Sequence, residues 1–388
     1  MGERVAGLIS GTSVDGIDVA LAGLRMDGEE IVLTPLGALE VPYRAGLRAD
    51  LLAVLQPART TAEQLTKLDT RVGQAFAEAA QQGIERFGPA DFIASLGQTV
   101  FHWVEDGHAR GTLQLGQPAW IAERTGRPVV ADLRARDIAA GGHGAPLAST
   151  LDRLWLRGLA ESAGRPAVAL NIGGIANVTV VRPDGTAIAY DTGPGNALLD
   201  LAARRGGLRC DLDGRLAAQG KVDHRLLSRL LEEPYYATAP PKSTGKELFH
   251  AVYLDGIDLE LTDLLATLTE LTARTVAAAC ENAHTVVGSG GGVRNPALMR
   301  ALAANLPGAR LVTSDELGLP SAAKEAYLTA LLGWLTWHGV PGNVPDATGA
   351  RGPRLLGSIT PGRSGLSLPP PRTATVTRLR VAGPMPEE

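Results

Sequence analysis

Apolar and polar residues follow each other along this chain in short blocks of two kinds. Near the N-terminus, apolar runs at Val5–Ile9 and Ile17–Leu24 flank a polar stretch with several glycines, which predicts two strands joined by a tight turn. In residues 259–283, apolar positions recur every three to five residues, the spacing of a helix that buries one face. Because the two kinds of block alternate, we predict an α/β protein.

The remaining blocks extend this pattern over most of the chain. Helices are predicted at residues 62–87, 148–160, 196–206, 295–306 and 320–337, and short strands at 91–96 and 128–131. A chain of 388 residues is long enough for two domains. We expect an N-terminal lobe at 1–135, a C-terminal lobe at 136–360 and a proline-rich tail at 361–388.

The second lobe repeats a feature of the first. Residues 167–195 read AVALNIGGIANVTVVRPDGTAIAYDTGPG, in which apolar runs flank Gly173 and Gly174 as the first two runs flank Gly11. Glycine lets backbone amides approach phosphate oxygens closely, and neighbouring hydroxyl groups add donors. We therefore expect two related lobes that present glycine turns to one polyphosphate in the cleft between them. Two unrelated hairpins would give the same pattern.

Carboxylates next to the first turn require a cation if phosphate binds there. Asp15 and Asp18 would otherwise repel phosphate, so we expect them to bind Mg²⁺, with capping of backbone amides as the alternative. A third glycine cluster, VVGSGGGVRNPALM at 286–299, has the strand–glycine–helix order of nucleotide sites. It matches neither the dinucleotide fingerprint nor the P-loop.

Three further polar segments are candidates for substrate chemistry. Asp191 ends an apolar run in YDTGPGNALLD, a position suited to a general base, although helix capping would also place an aspartate there. Charged residues and glycines are mixed in ADLRARDIAAGGHGAPL at 131–147 and in PPKSTGKELF at 240–249. Such clusters suit a ligand with carboxylate and hydroxyl groups, and solvated loops would look the same.

Composition narrows the classes of partner. The net charge of −4 argues against nucleic acid, and no apolar run is long enough to span a bilayer. Only two cysteines are present, which argues against a disulfide framework. We therefore expect a cytoplasmic protein that binds neither nucleic acid nor membrane.

Taken in order, the motifs resemble those of the anhydro-N-acetylmuramic acid kinase family. The resemblance is carried by GLISGTSVDGIDVAL, LGQTVFHW, VVADLRARDIAAGGHGAPL, LNIGGIANVT, DTGPGNALLD, PKSTGKELF, GGGVRNPALM and KEAYLTALL. It implies the two-lobed fold of actin, hexokinase and the heat-shock ATPases, which is ribonuclease H-like, with ATP in the interlobe cleft. It also implies a homodimer that uses ATP and Mg²⁺ to open the ring of 1,6-anhydro-N-acetylmuramic acid and phosphorylate it, in peptidoglycan recycling.

The resemblance assigns roles to residues of these motifs. Asp191 would act as the base, with Arg136 and Glu325 near the reacting groups. ATP and Mg²⁺ would contact Gly11, Thr12, Ser13, Val14, Asp15, Gly16, Ile17, Asp18, Gly173, Gly174, Gly290, Gly291, Gly292 and Asn295, the metal lying at Asp15 and Asp18. The sugar would contact Gln98, His102, Arg134, Asp137, Gly142, Thr192 and Lys242. Two positions depart from the family pattern: His143 stands where glutamine is usual, and Leu133 where phenylalanine is usual.

Two other functions fit parts of the same pattern. A kinase of the same fold could phosphorylate another sugar or a small carboxylate, since fold does not fix the substrate. A nucleotide-gated chaperone module would need an added peptide-binding domain, and the residues beyond 340 are too few and too rich in proline to form one.

Overall fold

The chain forms two compact units in a computed structural model that describes residues 2–245, 247–372 and 375–383. Unit 1 comprises Met1–Trp155 and Gly318–Glu388, and unit 2 comprises Leu156–Leu317. These boundaries differ from the expected lobes at 1–135 and 136–360. The reason is that the C-terminal part of the chain returns to the first sheet, which composition does not reveal.

The described residues form the following helices and strands. The strands are β1 (Glu3–Ser10), β2 (Gly16–Asp27), β3 (Glu30–Pro42), β4 (Phe92–Glu105), β5 (His108–Leu115), β6 (Val129–Ala131), β7 (Ala167–Ile172), β8 (Ile175–Val181), β9 (Ala187–Pro194), β10 (Thr285–Ser289), β11 (Arg310–Thr313), β12 (Ser358–Thr360) and β13 (Arg378–Val381). The helices are α1 (Ala45–Val54), α2 (Ala62–Phe87), α3 (Pro118–Thr125), α4 (Ala135–Ala139), α5 (Ala148–Ala163), α6 (Ala197–Arg205), α7 (His224–Leu231), α8 (Pro234–Ala237), α9 (Leu261–Ala279), α10 (Pro296–Asn305), α11 (Lys324–Trp337) and α12 (Pro345–Thr348).

The same strand order occurs in both units. In unit 1, β3, β2 and β1 are antiparallel neighbours, and β4 and β6 follow in parallel to β1. In unit 2, β9, β8 and β7 are antiparallel neighbours, and β10 and β11 follow in parallel to β7. The predicted α/β class and the predicted repeat are both confirmed by this topology.

Helices cover both faces of the central sheet of unit 1. Val19 on β2 faces α2, where a Cβ added to Gly83 would lie 2.7 Å from its Cγ1 atom. Gly7 on β1 faces the other way, and a Cβ added there would lie 2.0 Å from the carbonyl oxygen of Ala326 in α11. Glycine at position 7 therefore allows α11 to lie directly on the strand.

The core of unit 2 confirms the most regular helix in the sequence. The apolar spacing predicted over 259–283 forms α9, whose Leu265 and Leu271 are fully buried. Leu268 of the same stripe packs with them against residues of α6 and α7. Because this stripe is wholly used in packing, it is a core feature and offers no ligand contacts.

The end of the chain contributes two strands to unit 1, of which β13 lies in the proline-rich tail. β12 pairs antiparallel with β6, and β13 pairs in parallel with β3 at the other edge of the sheet. Leu379 of β13 is buried, so the tail also adds to the core. Among the helices that the structure describes, none has the length and apolar character needed to cross a membrane.

Candidate functional site

The turn between β1 and β2 has the features of an anion site. Its backbone is closed by a hydrogen bond from the Val14 amide to the carbonyl oxygen of Gly11, at 3.2 Å. Thr12 and Ser13 are exposed, and their amides donate to no group in the described parts of the chain. Free amides and hydroxyls in one turn fit the oxygens of a phosphate.

Gln98 on β4 supports this turn from inside the protein. Its side chain is fully buried, and its Nε2 donates to the carbonyl oxygen of Gly11 at 3.2 Å. Its Oε1 accepts a hydrogen bond from Ser10 Oγ at 2.6 Å, and the same hydroxyl contacts the carbonyl oxygen of Gly16 at 2.8 Å. The structure thus gives Gln98 a role in shaping the turn, whereas its sugar contact stays a prediction.

The two aspartates predicted to hold Mg²⁺ have different surroundings. Asp15 is exposed, and its Oδ1 forms an ion pair with Arg48 at 2.9 Å. Asp18 lies on β2, where burial and then the negative charges of Glu40 and Glu325 raise its pKa to about 6. A carboxylate held among other carboxylates attracts a cation. Asp18 therefore fits a metal ligand better than Asp15 does.

Few protein ligands are available for a metal. Within the described residues, no three His, Cys, Asp or Glu side chains come together as a metal site. Mg²⁺ in kinases commonly takes one or two carboxylates and fills its shell with water and phosphate oxygens. Asp18, with Glu325 nearby, is compatible with such a site.

Arg134 interacts with Glu325, one member of this acidic pair. Its Nη1 donates to the carbonyl oxygen of Gly144 at 2.8 Å, and burial lowers its pKa while the charge of Glu325 opposes that shift. Its Nε is buried and has no partner among the described residues. Arg136 is exposed on α4. Of the two arginines predicted at the site, Arg134 is the one that the structure brings near Glu325.

Two histidines adjoin the same region. His102 Nδ1 lies 3.2 Å from Thr112 Oγ1, and burial together with the charges of Arg134 and His143 lowers the pKa of His102. A neutral imidazole next to a buried guanidinium can accept or donate a hydrogen bond to a polar ligand. His143, one of the departures from the family pattern, therefore belongs to this cluster.

Asp137 and Gly142 lie behind the cluster. The carboxylate of Asp137 is fully buried, and its Oδ2 accepts the amide of Gly144 at 2.8 Å. A Cβ at position 142 would lie 2.2 Å from the same oxygen. The structure thus places both residues in the support of the glycine loop, and direct contact with the sugar stays a prediction.

Asp191 is the central polar residue of unit 2. It lies on β9, and its Oδ2 accepts hydrogen bonds from Ser243 Oγ at 2.9 Å and from the amide of Thr244 at 3.0 Å. Its Oδ1 accepts none from the described residues. Burial raises the pKa of Asp191, the two hydrogen bonds lower it, and Glu247 raises it further. The alternative of helix capping is excluded, since Asn196 is the residue at the start of α6.

α8 and the loop after it bind the backbone of Asp191. Tyr235 Oη donates to the carbonyl oxygen of Asp191 at 2.7 Å, and the amide of Asp191 donates to the carbonyl oxygen of Lys242 at 3.2 Å. The ammonium of Lys242 donates to the carbonyl oxygens of Tyr235 and Tyr236 at 3.0 and 2.9 Å. Thr192, which is buried, donates to the carbonyl oxygen of Ala176. Lys242 and Thr192 therefore hold Asp191 in place within the protein.

The second glycine turn joins β7 and β8. The carbonyl oxygens of Gly173 and Gly174 accept hydrogen bonds from the amides of residues 195–197, at the beginning of α6. The amide of Gly174 has no partner in the described residues and is available to an anion. The turn matches the one between β1 and β2 in position within its sheet.

The third glycine cluster follows β10. Gly290 has a φ of 82°, and a Cβ there would lie 2.5 Å from Asn171 Oδ1, so only glycine fits. A Cβ added at Gly292 would lie 2.3 Å from Ile172 Cγ2, whereas Gly291 is exposed. Asn295 Oδ1 caps α10 by accepting the amides of Ala297 and Leu298. Gly290, Gly292 and Asn295 are explained by packing and capping. The contact of this cluster with adenosine stays a prediction.

Sequence reasoning missed the roles of four polar residues near these sites. Ser243 and Thr244 were recognised only as part of a polar loop, and Asn343 with Thr348 was not recognised at all. Both Asn343 and Thr348 bind the buried carboxylate of Asp137. The stretch GNVPDATGA at 342–350 looks like a connecting loop, and its proline and glycine residues gave no sign of a buried partner.

The topology and the turns together define a class of protein. Three antiparallel strands followed by two parallel ones form the ribonuclease H-like strand order, which occurs here once in each unit. A glycine turn joins the first two strands of each copy. The chain thus has the duplicated architecture of the actin-like ATPases and sugar kinases.

Comparison with known proteins gives the family. The model of the family "Anhydro-N-acetylmuramic acid kinase" matches residues 3–362. Proteins of that name from Streptomyces avermitilis and Streptomyces coelicolor are 58% and 54% identical to this chain, covering 95% and 98% of it and 97% and 99% of their own lengths. One from Rhodococcus erythropolis is 52% identical over 94% of this chain and 95% of its own. The chain belongs to the anhydro-N-acetylmuramic acid kinase family.

Proposed function

We propose that this protein uses ATP to open the 1,6-anhydro ring of anhydro-N-acetylmuramic acid with water and to phosphorylate O6, giving N-acetylmuramic acid 6-phosphate and ADP. Family membership supports the substrate. The observation that carries the chemistry is the carboxylate of Asp191, which is fixed through Oδ2 and has no donor to Oδ1 among the described residues. An aspartate so held can take a proton from a water molecule.

The proposed steps balance in atoms and charge. A water molecule attacks the anomeric carbon while its proton passes to Asp191 Oδ1, and the bond from the anomeric carbon to O6 breaks. O6, which gains the electrons of that bond, attacks the γ-phosphorus of ATP, and ADP leaves. Asp191 then returns its proton to solvent.

Unit 1 carries charged groups of its own that suit this chemistry. Mg²⁺ would neutralise phosphate charge when bound, and Asp18 with Glu325 is the pair that fits it. Arg134, held by the carbonyl oxygen of Gly144, would face the oxygens of the sugar with its remaining donors. The free amides of Thr12 and Ser13 would bind phosphate oxygens.

The deciding experiment is mass spectrometry of the products formed from Mg-ATP and anhydro-N-acetylmuramic acid in ¹⁸O-water. The product should gain one phosphoryl group and one labelled oxygen. Asp191→Asn should lower the rate by about 10²–10⁴. The matched control is Asp184→Asn, an exposed aspartate in the turn before the same strand, which should react like wild type.

Each other outcome has a distinct meaning. A phosphorylated product without labelled oxygen would keep the kinase and reject ring opening by water. Bound ATP with no sugar product would reject this acceptor and favour a same-fold kinase for another sugar or small carboxylate. Equal losses of rate in Asp191→Asn and Asp184→Asn would show that Asp191 is not the base.

We also propose that the enzyme works in the cytoplasm, where ATP is available, and that it forms a homodimer. Closed twofold assemblies are the commonest among soluble oligomers, which supports the dimer. Light scattering of the purified protein measures the mass directly, and a monomer at micromolar concentration would reject this part.

A further inference from the structure

We propose that Asn343 and Thr348 are positioning residues that hold the glycine loop Gly141–Gly144 through Asp137, and through this loop hold Arg134. The inference extends the proposed function, since it assigns a use to the segment after α11 that none of the sequence motifs includes. All the residues concerned lie in unit 1.

The starting point is a fully buried carboxylate with three donors. Asp137 Oδ1 accepts hydrogen bonds from Asn343 Nδ2 at 2.7 Å and from Thr348 Oγ1 at 2.8 Å. Its Oδ2 accepts the amide of Gly144 at 2.8 Å. Both oxygens are thus bound, and the two side-chain donors come from one short segment of the chain.

Such an arrangement is not explained by stability alone. Burying a carboxylate is unfavourable unless hydrogen bonds replace its hydration, and apolar side chains of similar size often stabilise a core as well or better. What a hydrogen-bonded carboxylate adds is direction, because each oxygen fixes the place of its donor. Here the donor fixed on the far side is the amide of Gly144.

The residue whose amide is fixed in this way, Gly144, also binds Arg134. The carbonyl oxygen of Gly144 accepts Arg134 Nη1 at 2.8 Å. A shift of Gly144 therefore moves the guanidinium that lies near Glu325 and His102. Consecutive hydrogen bonds thus connect Thr348 to Arg134, by way of Asp137 and Gly144.

The same segment also binds the loop through its backbone. The amide of His143 donates to the carbonyl oxygen of Thr348 at 2.8 Å, and the amide of Arg351 donates to the carbonyl oxygen of Ala140 at 3.0 Å. The amide of Gly142 donates to the carbonyl oxygen of Asp137 at 3.0 Å. The loop is thereby fastened at several points, and the Thr348 hydroxyl is one that a substitution can remove cleanly.

The test compares Thr348→Val, Thr348→Ser and Thr150→Val. The first removes the hydroxyl from Asp137, and the second keeps it. Thr150 is a matched control, since its buried hydroxyl donates to the carbonyl oxygen of Gly342 at 2.7 Å, next to Asn343, and does not touch Asp137. If T348V does not fold, T348A removes the same hydroxyl and takes its place.

Two readouts are measured on each protein. Hydrogen exchange of the peptide over residues 138–147 reports the loop without any substrate, and should accelerate in T348V but not in T348S or T150V. The kcat/KM for the anhydro sugar, per mole of folded enzyme, should fall at least about tenfold in T348V, the value of one hydrogen bond to a charged group.

The outcomes separate this inference from the proposed function. Unchanged exchange in T348V, or equal effects of T348V and T150V on kcat/KM, would overturn the positioning role. Faster exchange in T348V with no turnover of the sugar by wild type would keep the loop support and reject the proposed substrate.

Discussion

The two oxygens of Asp191 have different surroundings, since Oδ2 accepts two hydrogen bonds and Oδ1 accepts none from the described residues. The hydrogen bond from Ser243 lowers the pKa of Asp191, so Ser243→Ala should raise it. The base must be ionised to act, so the acidic limb of kcat/KM should move to higher pH while the rate above the limb stays close to wild type.

The charged and titratable groups around Asp191 remain in place in this variant. Among the described residues these are Glu247, whose charge raises the pKa of Asp191, and Tyr235, which interacts with Asp191. Ser228→Ala, which removes an exposed hydroxyl that bonds the carbonyl oxygen of His224 on α7, is the control and should leave the profile unchanged. A limb that stays at the wild-type pH in S243A would contradict the role assigned to the Ser243 hydrogen bond.

Asp15 and Asp18 should respond differently to neutralisation. Asp18→Asn should raise the Mg²⁺ concentration that gives half-maximal activity, because it removes a carboxylate from the acidic pair. Asp15→Asn should change it far less, since Arg48 already neutralises Asp15. Magnesium titrations of the rate at saturating ATP measure both, and a larger effect in D15N would assign the metal to the turn.

In the loop that follows α4, glycine is required for reasons of space. Gly142→Ala would place a Cβ against Asp137 Oδ2 and within 3.0 Å of the Cβ of Ala350. We expect this overpacking to lower the free energy of unfolding by about 1–3 kcal/mol. Urea denaturation measures the change.

Gly158→Ala in α5 is the matched control for that substitution. No atom lies within 4 Å of a Cβ at position 158, and alanine is favoured over glycine inside a helix by about 0.5–1 kcal/mol. The control should therefore be neutral or stabilising. A loss of stability in G158A as large as in G142A would show that the glycine loop is not specially crowded.

Elements with a local signal were predicted well. The helix expected at 62–87 is α2, because a capping box at Thr61 and Gln64 begins it and Gly88 ends it. β3 and β13 were missed, since β3 contains Pro35 and Gly37 and β13 is short. Both depend on pairing with strands already present, which is a tertiary effect.

The candidate site shows the same limit. Asp191 could be named as a candidate from sequence because it ends an apolar run beside glycines. The partners of Asp137 were not found, because Asn343 and Thr348 lie 206 and 211 residues further along the chain. No pattern within a window of sequence connects residues so far apart, so the support of a site is harder to predict than its exposed groups.

Across the whole molecule, the C-terminal strand is the feature most easily removed. A chain that ends at residue 372 would lack β13 and leave β3 as an open edge, which favours pairing with other chains. We expect a lower melting temperature and concentration-dependent association, measured by calorimetry and light scattering. A chain that ends at Gly383 keeps β13 and is the control; equal behaviour of the two would show that β13 does not protect the edge.

The return of the chain to unit 1 after residue 317 also sets an order of synthesis. Unit 2 is continuous, so all its strands have been made when Leu317 is added. Unit 1 lacks α11, with its fully buried Tyr327 and Trp334, until later. At about 5–20 residues per second, the ribosome needs on the order of ten seconds or more to make unit 2. During that time one apolar face of β1 and β2 has no helix to cover it. We therefore expect the newly made first part of the chain to bind chaperones until α11 is complete.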